Sequence, residues 1–348
     1  MDVQLVLAAP LATSAAPRMG RYGLPMMGGA LSAGILVGYV FVVPGLGTLA
    51  VAGLLHVPLG TMLVYGFVLG PLAALLTTFL YGRLLRRGLW NPATDEVPDA
   101  EDAVGERAAD TDAVAVPDVS ENDHPGARRP LPPLYLSLLP ILVPLLLIAT
   151  GAIADAAGVT SDLLAFLGNP AFALFAGLVG AYALAKRVLT GERVEQAVTE
   201  GFHSTGQILL VTGVGGSLGA VIGKTGLDKV LSGIFSADAG MSTVVTILLV
   251  WLIAALLHLA IGSIGVAAIA AAGIIAPIMG DLAVPPAVLA LAIGSGSLFA
   301  LQVNSNFFWM FQPLLGVTTR GALKALTFVT AMASVVSLVL VVAVSFVV

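Results

Sequence analysis

The stretch AGMSTVVTILLVWLIAALLHLAIGSIGVAAIAAAGIIAPIMG, residues 239–280, contains no Asp, Glu, Lys or Arg. A helix needs about 20 mostly apolar residues to cross a hydrocarbon layer of roughly 30 Å, so this run is long enough for two crossings. Its one ionisable side chain is His258. Working outward, further apolar windows stand at 22–43, 61–82, 133–154, 169–185, 286–302 and 322–347, beside 242–260 and 262–279 within the run itself. Across the 348 residues 58% are hydrophobic and 10% charged, where a soluble domain carries about a quarter charged, which argues against a globular water-soluble enzyme. The 40 glycines and 20 prolines suit close helix packing and deliberate helix breaks. With no cysteine there are no disulfides, thiolate metal sites, iron–sulfur clusters or thiol nucleophiles, and the four histidines are too scattered for a zinc site. The expectation is an all-α polytopic membrane protein in the cell membrane, with no cofactor, no metal and no nucleic-acid partner.

The charges divide the chain. Residues 88–130 hold eleven acids and three bases, 3 − 11 = −8, and the rest carries 12 − 9 = +3, which together make the formal −5. The Ala/Asp/Glu/Pro-rich composition of 88–130 predicts a solvated, disordered loop. Three parts follow: 1–87, the loop 88–130, and 131–348. Bases cluster at Arg18/Arg21, Arg83/Arg86/Arg87, Arg128/Arg129, Lys186/Arg187/Arg193 and Arg320/Lys324, and the positive-inside rule places all five clusters, with the acidic loop, in the cytoplasm. The first window then runs outward, the second returns, and the last starts inside. Residues 206–223 fit either a crossing or a re-entrant hairpin. Residues 3–9 are apolar, but the segment before them holds Asp2 and no base, which argues against a signal peptide.

Sliding the chain by 260 places Val43-Pro44-Gly45 over Val303-Asn304-Ser305 and Leu54-Leu55 over Leu314-Leu315. Both regions read as a small-residue span, a break, a short apolar piece and a final span. The charge argument sends the first copy in from the inside and the second from the outside. Inverted repeats with interrupted helices point to a secondary transporter's binding site.

Three stretches join Gly, Ser, Thr or Asn to an apolar context: 211–219 (VTGVGGSLG), 258–267 (HLAIGSIGVA), and 294–297 (GSGS) followed by 302–309 (QVNSNFFW). Unwound backbone inside a bilayer is tolerated only where protein buries it or a wet cavity takes it. Its free N–H groups and the N-termini of half-helices favour an anion such as a carboxylate. Close packing of small residues is the competing explanation for the glycines. Gln302, Asn304 and Asn306 are costly in lipid and favour a site. Residues 213–219 are not a phosphate loop, since no Lys follows at the required spacing. His258, whose type titrates near pH 6.5, reads either as a hydrogen-bonded core residue or as a proton-coupling group. His258 with Ser263 does not make a hydrolase, because no carboxylate accompanies them.

At these segments the chain resembles the gluconate permease (GntP) family of sugar-acid:proton symporters, within the ion transporter superfamily. The resemblance rests on TG-x-GG-x-x-G at 212–219, ALL-basic-x-A-x-GS at 255–263, AAGIIAP at 271–277 and VN-x-x-x-FW at 303–309. It departs where the family's usual Arg is His258, where GS-x-TVA reads GSIGVA, where HVNDSGFW reads QVNSNFFW, and where PPHPGP reads Val43-Pro44-Gly45-Leu46-Gly47-Thr48. The resemblance implies an inverted-repeat secondary transporter with broken helices or re-entrant segments. Because members of the family begin well upstream of Met1, its first repeat, 1–87, is expected to be incomplete and its second to lie in 131–348. It implies a small carboxylate substrate such as gluconate, a coupling proton, and alternating access by one repeat rocking against the other. The expected substrate-binding residues are Pro44, Gly45, Gly47, Thr212, Gly213, Gly215, Gly216, Gly262, Ser263, Gln302, Asn304, Ser305 and Asn306, with His258 for the proton. The competing reading is a non-transporting half-unit or remnant of such a permease. A homo-oligomer stays open.

Overall fold

The computed structural model describes residues 1–43, 45–97, 133–156, 161–225 and 242–347. Apart from one isolated bridge, the regular elements among them are helices. They are α1 (Asp2–Ala15), a 3-10 turn (Ala16–Tyr22), α2 (Gly23–Phe41), α3 (Leu46–Leu54), α4 (Leu59–Arg86), α5 (Pro92–Asp95), α6 (Leu134–Ala156), α7 (Asp162–Leu167), α8 (Pro170–Val188) and α9 (Gly191–Thr225). There follow α10 (Thr243–Ile261), α11 (Ile264–Ile275), a second 3-10 turn (Ala276–Asp281), α12 (Pro286–Ser297) and α13 (Asn306–Leu315). The final helix, α14 (Thr319–Val344), contains a π-turn at Leu323–Thr327. Six described helical stretches are long and apolar enough to cross a membrane, and Leu136–Gly151 and Pro286–Ser297 are shorter apolar helices. The chain is an all-α polytopic membrane protein.

The described residues form two compact units. In the smaller, residues 58–64 and 133–211, α6 packs on α8 and α7. Gly177 lies against Pro140 and Pro144, and Gly151 meets Gly168 backbone to backbone. Small residues let helices approach where lipid gives no hydrophobic drive for association. The larger unit, residues 1–57, 65–97, 212–225 and 242–347, holds the core. There α12 is buried almost all round between α10 and α14. Its polar side chains are satisfied inside the bundle: Ser295 Oγ donates to the Ser334 carbonyl at 2.8 Å and sits 2.8 Å from Ser337 Oγ. Ser334 Oγ donates to the Ser295 carbonyl at 2.6 Å and accepts from Trp251 Nε1 at 2.9 Å.

The 260-residue register recurs in the helices themselves. The first 3-10 turn starts at Ala16 and the second at Ala276, α3 starts at Leu46 and α13 at Asn306, and α4 starts at Leu59 and α14 at Thr319. Each pair differs by 260. Both 3-10 turns open on Ala-Pro-x-Met-Gly, at 16–20 and 276–280. The link after α3 and the link after α13 each carry a left-handed residue at matching positions, His56 (φ 52°) and Gly316 (φ 64°).

The span expected at 286–302 is shorter as a helix. After Ser297 the chain leaves the helical conformation until Asn306, and Ala300 takes φ 54°, a strained value for a residue with a side chain. The stretch 206–223, read as either a crossing or a hairpin, lies within the single 35-residue helix α9. A helix satisfies its own backbone whatever its glycine content, and of the two backbone readings open for 213–219 the structure has the helix rather than the unwound segment. Ser217 Oγ donates to the Gly213 carbonyl at 2.8 Å along the same helix.

The part expected as a loop, 88–130, begins with an ordered strap at 90–97; residues 98–130 lie outside the described residues. Trp90 is buried and donates to Glu96 Oε1 at 2.7 Å. Glu96 pairs antiparallel with Val317, Val97 N–H donates to the Gly316 carbonyl at 2.9 Å, and Thr318 N–H donates to the Asp95 carbonyl at 3.0 Å. Asp95, counted among the solvated acids, is fully buried against Lys324 Nζ (2.5 Å) and Arg320 Nε (3.4 Å). Two cations in the first turns of α14 face the positive end of the helix dipole, and the carboxylate offsets both. Burial works to raise the Asp95 pKa, but the Asn91 N–H, the Lys324 ammonium and the Thr94 hydroxyl together hold it below the ordinary carboxylate value.

A folded-state pKa below the unfolded one adds stability that is present above the unfolded value of about 3.9 and lost as pH falls through the lower, folded one. Acid titration of Trp90 fluorescence, in a Trp251→Phe/Trp309→Phe background, is therefore expected to show strap release at a midpoint below that of a free carboxylate. Lys324→Gln is expected to move the midpoint upward.

Candidate functional site

Three helix breaks meet in the larger unit. The first lies between α2 and α3. Gly45 is the N-cap of α3, and its N–H donates to the Val42 carbonyl at 2.6 Å. The second lies between α10 and α11, where Gly262 ends α10 in the left-handed conformation (φ 76°) and Ser263 caps α11, its Oγ 3.5 Å from Val266 N. The third is 298–305, between α12 and α13.

Close contacts join them. A Cβ added at Gly262 would sit 2.5 Å from the Asn304 carbonyl oxygen and 2.7 Å from its Cγ, so the second break packs directly on the third. Asn304 Nδ2 donates to the Leu259 carbonyl at 2.9 Å, satisfying one of the orphan carbonyls of the last turn of α10. Half-buried Tyr39, in the last turn of α2, bridges the first and second breaks. An added Cβ would lie 3.3 Å from its ring at Gly47, and 2.6 Å from its hydroxyl at Gly265. Gly47 and Gly265 both belong to first helical turns, where backbone N–H groups lack intrahelical acceptors. Helices α3, α11 and α13 all begin at a break, so three positive dipole ends border the region.

His258 is buried one turn before the second break, and its Nδ1 lies 2.8 Å from the Phe299 carbonyl. A carbonyl only accepts, so Nδ1 carries the hydrogen, and Nε2 holds the lone pair with no hydrogen-bond partner among the described residues. The strained Ala300 is pinned on both sides: Phe299 by His258, and Leu301 by α14. Leu301 N–H donates to Thr330 Oγ1 at 3.0 Å, and Thr327 Oγ1 donates to the Leu301 carbonyl at 2.6 Å.

A family model described as GntP family permease matches residues 1–347. The chain belongs to this family. It is 31% identical to the D-serine transporter DsdX of Escherichia coli K12, over 97% of this chain and 72% of the relative. It is 28% identical to the Gnt-II system L-idonate transporter of the same strain, over 99% and 73%. With the high-affinity gluconate transporter of that strain it shares 28% identity over 97% and 72%. No solved structure matches the chain. The protein is a permease for a small solute and an integral, multi-pass protein of the cell membrane, not an enzyme.

In this permease the expected site residues are only partly gathered. Gly45, Gly47, Gly262, Ser263, Gln302, Asn304, Ser305 and Asn306 all lie at the three breaks. Ser305 is the buried N-cap of α13, Asn306 is exposed with its Nδ2 3.4 Å from Met310 Sδ, and the Gln302 carbonyl accepts from Ser305 N–H at 2.9 Å. Pro44 lies outside the described residues. Thr212, Gly213, Gly215 and Gly216 lie within α9, and a Cβ at Gly213 would meet nothing within 4 Å. The sequence reading missed Tyr39, whose signal was a tyrosine near the end of an apolar span, five residues before Pro44. It also missed the Thr327/Thr330 clamp, which follows from no local pattern.

Proposed function

We propose that this permease carries a small carboxylate, gluconate or a related sugar acid, by proton symport. The observation that carries the reading is the arrangement of α3, α11 and α13, three helix N-termini at three breaks, with Tyr39 between two of them and Asn304 tying the third to Gly262. Partial positive charge and free N–H groups favour a carboxylate, while Asn304, Asn306 and Tyr39 offer hydrogen bonds to hydroxyls. The relatives' named solutes, idonate, gluconate and D-serine, each bear a carboxylate. His258 is the proton carrier in this reading: Nε2 is the free basic nitrogen, and Nδ1 couples it to the strained third break. The recurrence of helix starts at 260 residues, joined to the opposed orientation from the basic clusters, supports two inverted repeats that alternate access around the breaks.

Uptake of labelled gluconate and other small carboxylates into vesicles with an imposed pH gradient tests the reading. Accumulation that follows the gradient is expected, and no uptake of any of them would overturn carboxylate transport. His258→Gln is expected to abolish gradient-driven accumulation while counterflow exchange persists. Accumulation by that variant at the wild-type level removes His258 from the coupling.

A further inference from the structure

We infer that Asp95, on the strap that follows α4, is a positioning residue for transport: it holds the third break in shape through Lys324 and the π-turn of α14. The part of this inference that concerns solute binding rests on the reading of 302–306 as part of the solute site; the positioning of the break does not.

The link is continuous. The fully buried Asp95 carboxylate is bonded to Lys324 Nζ at 2.5 Å, and its position is set by Asn91 N–H at 2.7 Å and the Thr94 hydroxyl at 3.2 Å. Backbone pairing of the strap with residues 316–318 keeps the carboxylate at the start of α14. Lys324 belongs to the π-turn Leu323–Thr327, whose last residue, Thr327, donates to the Leu301 carbonyl. Thr330, one turn on, accepts from Leu301 N–H and donates to the Thr327 carbonyl at 3.0 Å. Both backbone polar groups of Leu301 are thus held by α14, on the C-terminal side of strained Ala300 and immediately before Gln302.

A π-turn inserts one extra residue into a helix, and π-turns occur mostly as single-turn bulges, often at functional sites. Converting this one to α-helix would turn the residues before it by about 100° relative to those after it. Lys324 and Thr327 would then no longer meet Asp95 and Leu301 together. A buried ion pair is weak evidence for stability, and fixing the register of a neighbouring element is its best-attested use.

The chain contains no cysteine, so Val303→Cys, at an exposed position of the third break, reports that break by its rate of alkylation with a membrane-impermeant maleimide. In the whole chain, reconstituted in vesicles, Asp95→Asn and Thr327→Val are each expected to raise that rate about fivefold, and the double variant no further, because the two act on one link. The KM for labelled gluconate is expected to rise by about the same factor with Vmax per inserted molecule within about twofold, a split that a loss of folded protein does not produce. Lys324→Gln, which leaves the backbone pairing of the strap intact, is expected to match Asp95→Asn and replaces it if that variant fails to insert. An alkylation rate that ignores the Asp95 and Lys324 variants overturns the inference, as do effects that multiply in the double variant. Should alkylation respond while Asn304→Ala transports normally, the positioning stands and the solute site at 302–306 falls.

Discussion

Asn304→Ala is expected to abolish uptake while the protein remains inserted in the membrane at wild-type levels. The Asn304 carboxamide closes the Leu259 carbonyl of α10 at 2.9 Å and packs against Gly262. Truncation takes from that carbonyl the partner that ties the third break to the end of α10. It also removes the carboxamide oxygen that the proposed site offers to the solute as an acceptor. Insertion survives because Asn304 lies on an exposed break and buries no apolar area that the bundle depends on. The measurement is initial uptake per inserted molecule; unchanged uptake takes residues 302–306 out of the site.

Gly262→Ala is expected to lower the unfolding temperature and eliminate transport together. Two independent costs coincide there. A left-handed backbone penalises a side chain by about 1–2 kcal/mol, and φ at Gly262 is 76°. The new Cβ would also stand 2.5 Å from the Asn304 carbonyl oxygen, a backbone atom unable to rotate aside, and overpacking of this kind costs about 1–3 kcal/mol more. Gly34→Ala is the control. It lies inside α2 with nothing within 4 Å of an added Cβ, so alanine there is expected to stabilise by roughly 0.5–1 kcal/mol. Equal unfolding temperatures for the two variants would dismiss the tight junction between the second and third breaks.

Much of the helical layout was legible because a bilayer imposes a length and an apolarity that few other environments do. The windows at 61–82, 169–185, 242–260, 262–279 and 322–347 each fall largely within a long apolar helical stretch of the structure. The third break was legible too, since Gln302, Asn304 and Asn306 are expensive in lipid unless something uses them. The 260-residue offset of Val43 and Leu54-Leu55 is visible in the sequence, as is the shared Ala-Pro-x-Met-Gly at 16–20 and 276–280. The stretch 211–219 stayed open between a site and close helix packing, because glycine content alone does not separate an unwound segment from a small-residue helix face.

By itself, the amino-acid sequence determined a multi-pass helical membrane protein of the GntP permease family, with breaks near Gly45, Gly262 and Asn304, because hydropathy, glycine and amide placement act locally along the chain. Only the tertiary structure decided that Asp95 is a buried counter-ion at the head of α14 rather than one more solvated acid in a run of acids. It alone put the Tyr39 hydroxyl against Gly265 and the Leu301 backbone between Thr327 and Thr330. Those contacts join residues as far apart as 95 and 324. No periodicity specifies a pairing at that separation, because it forms only when helices that bury their own apolar faces bring the two ends together.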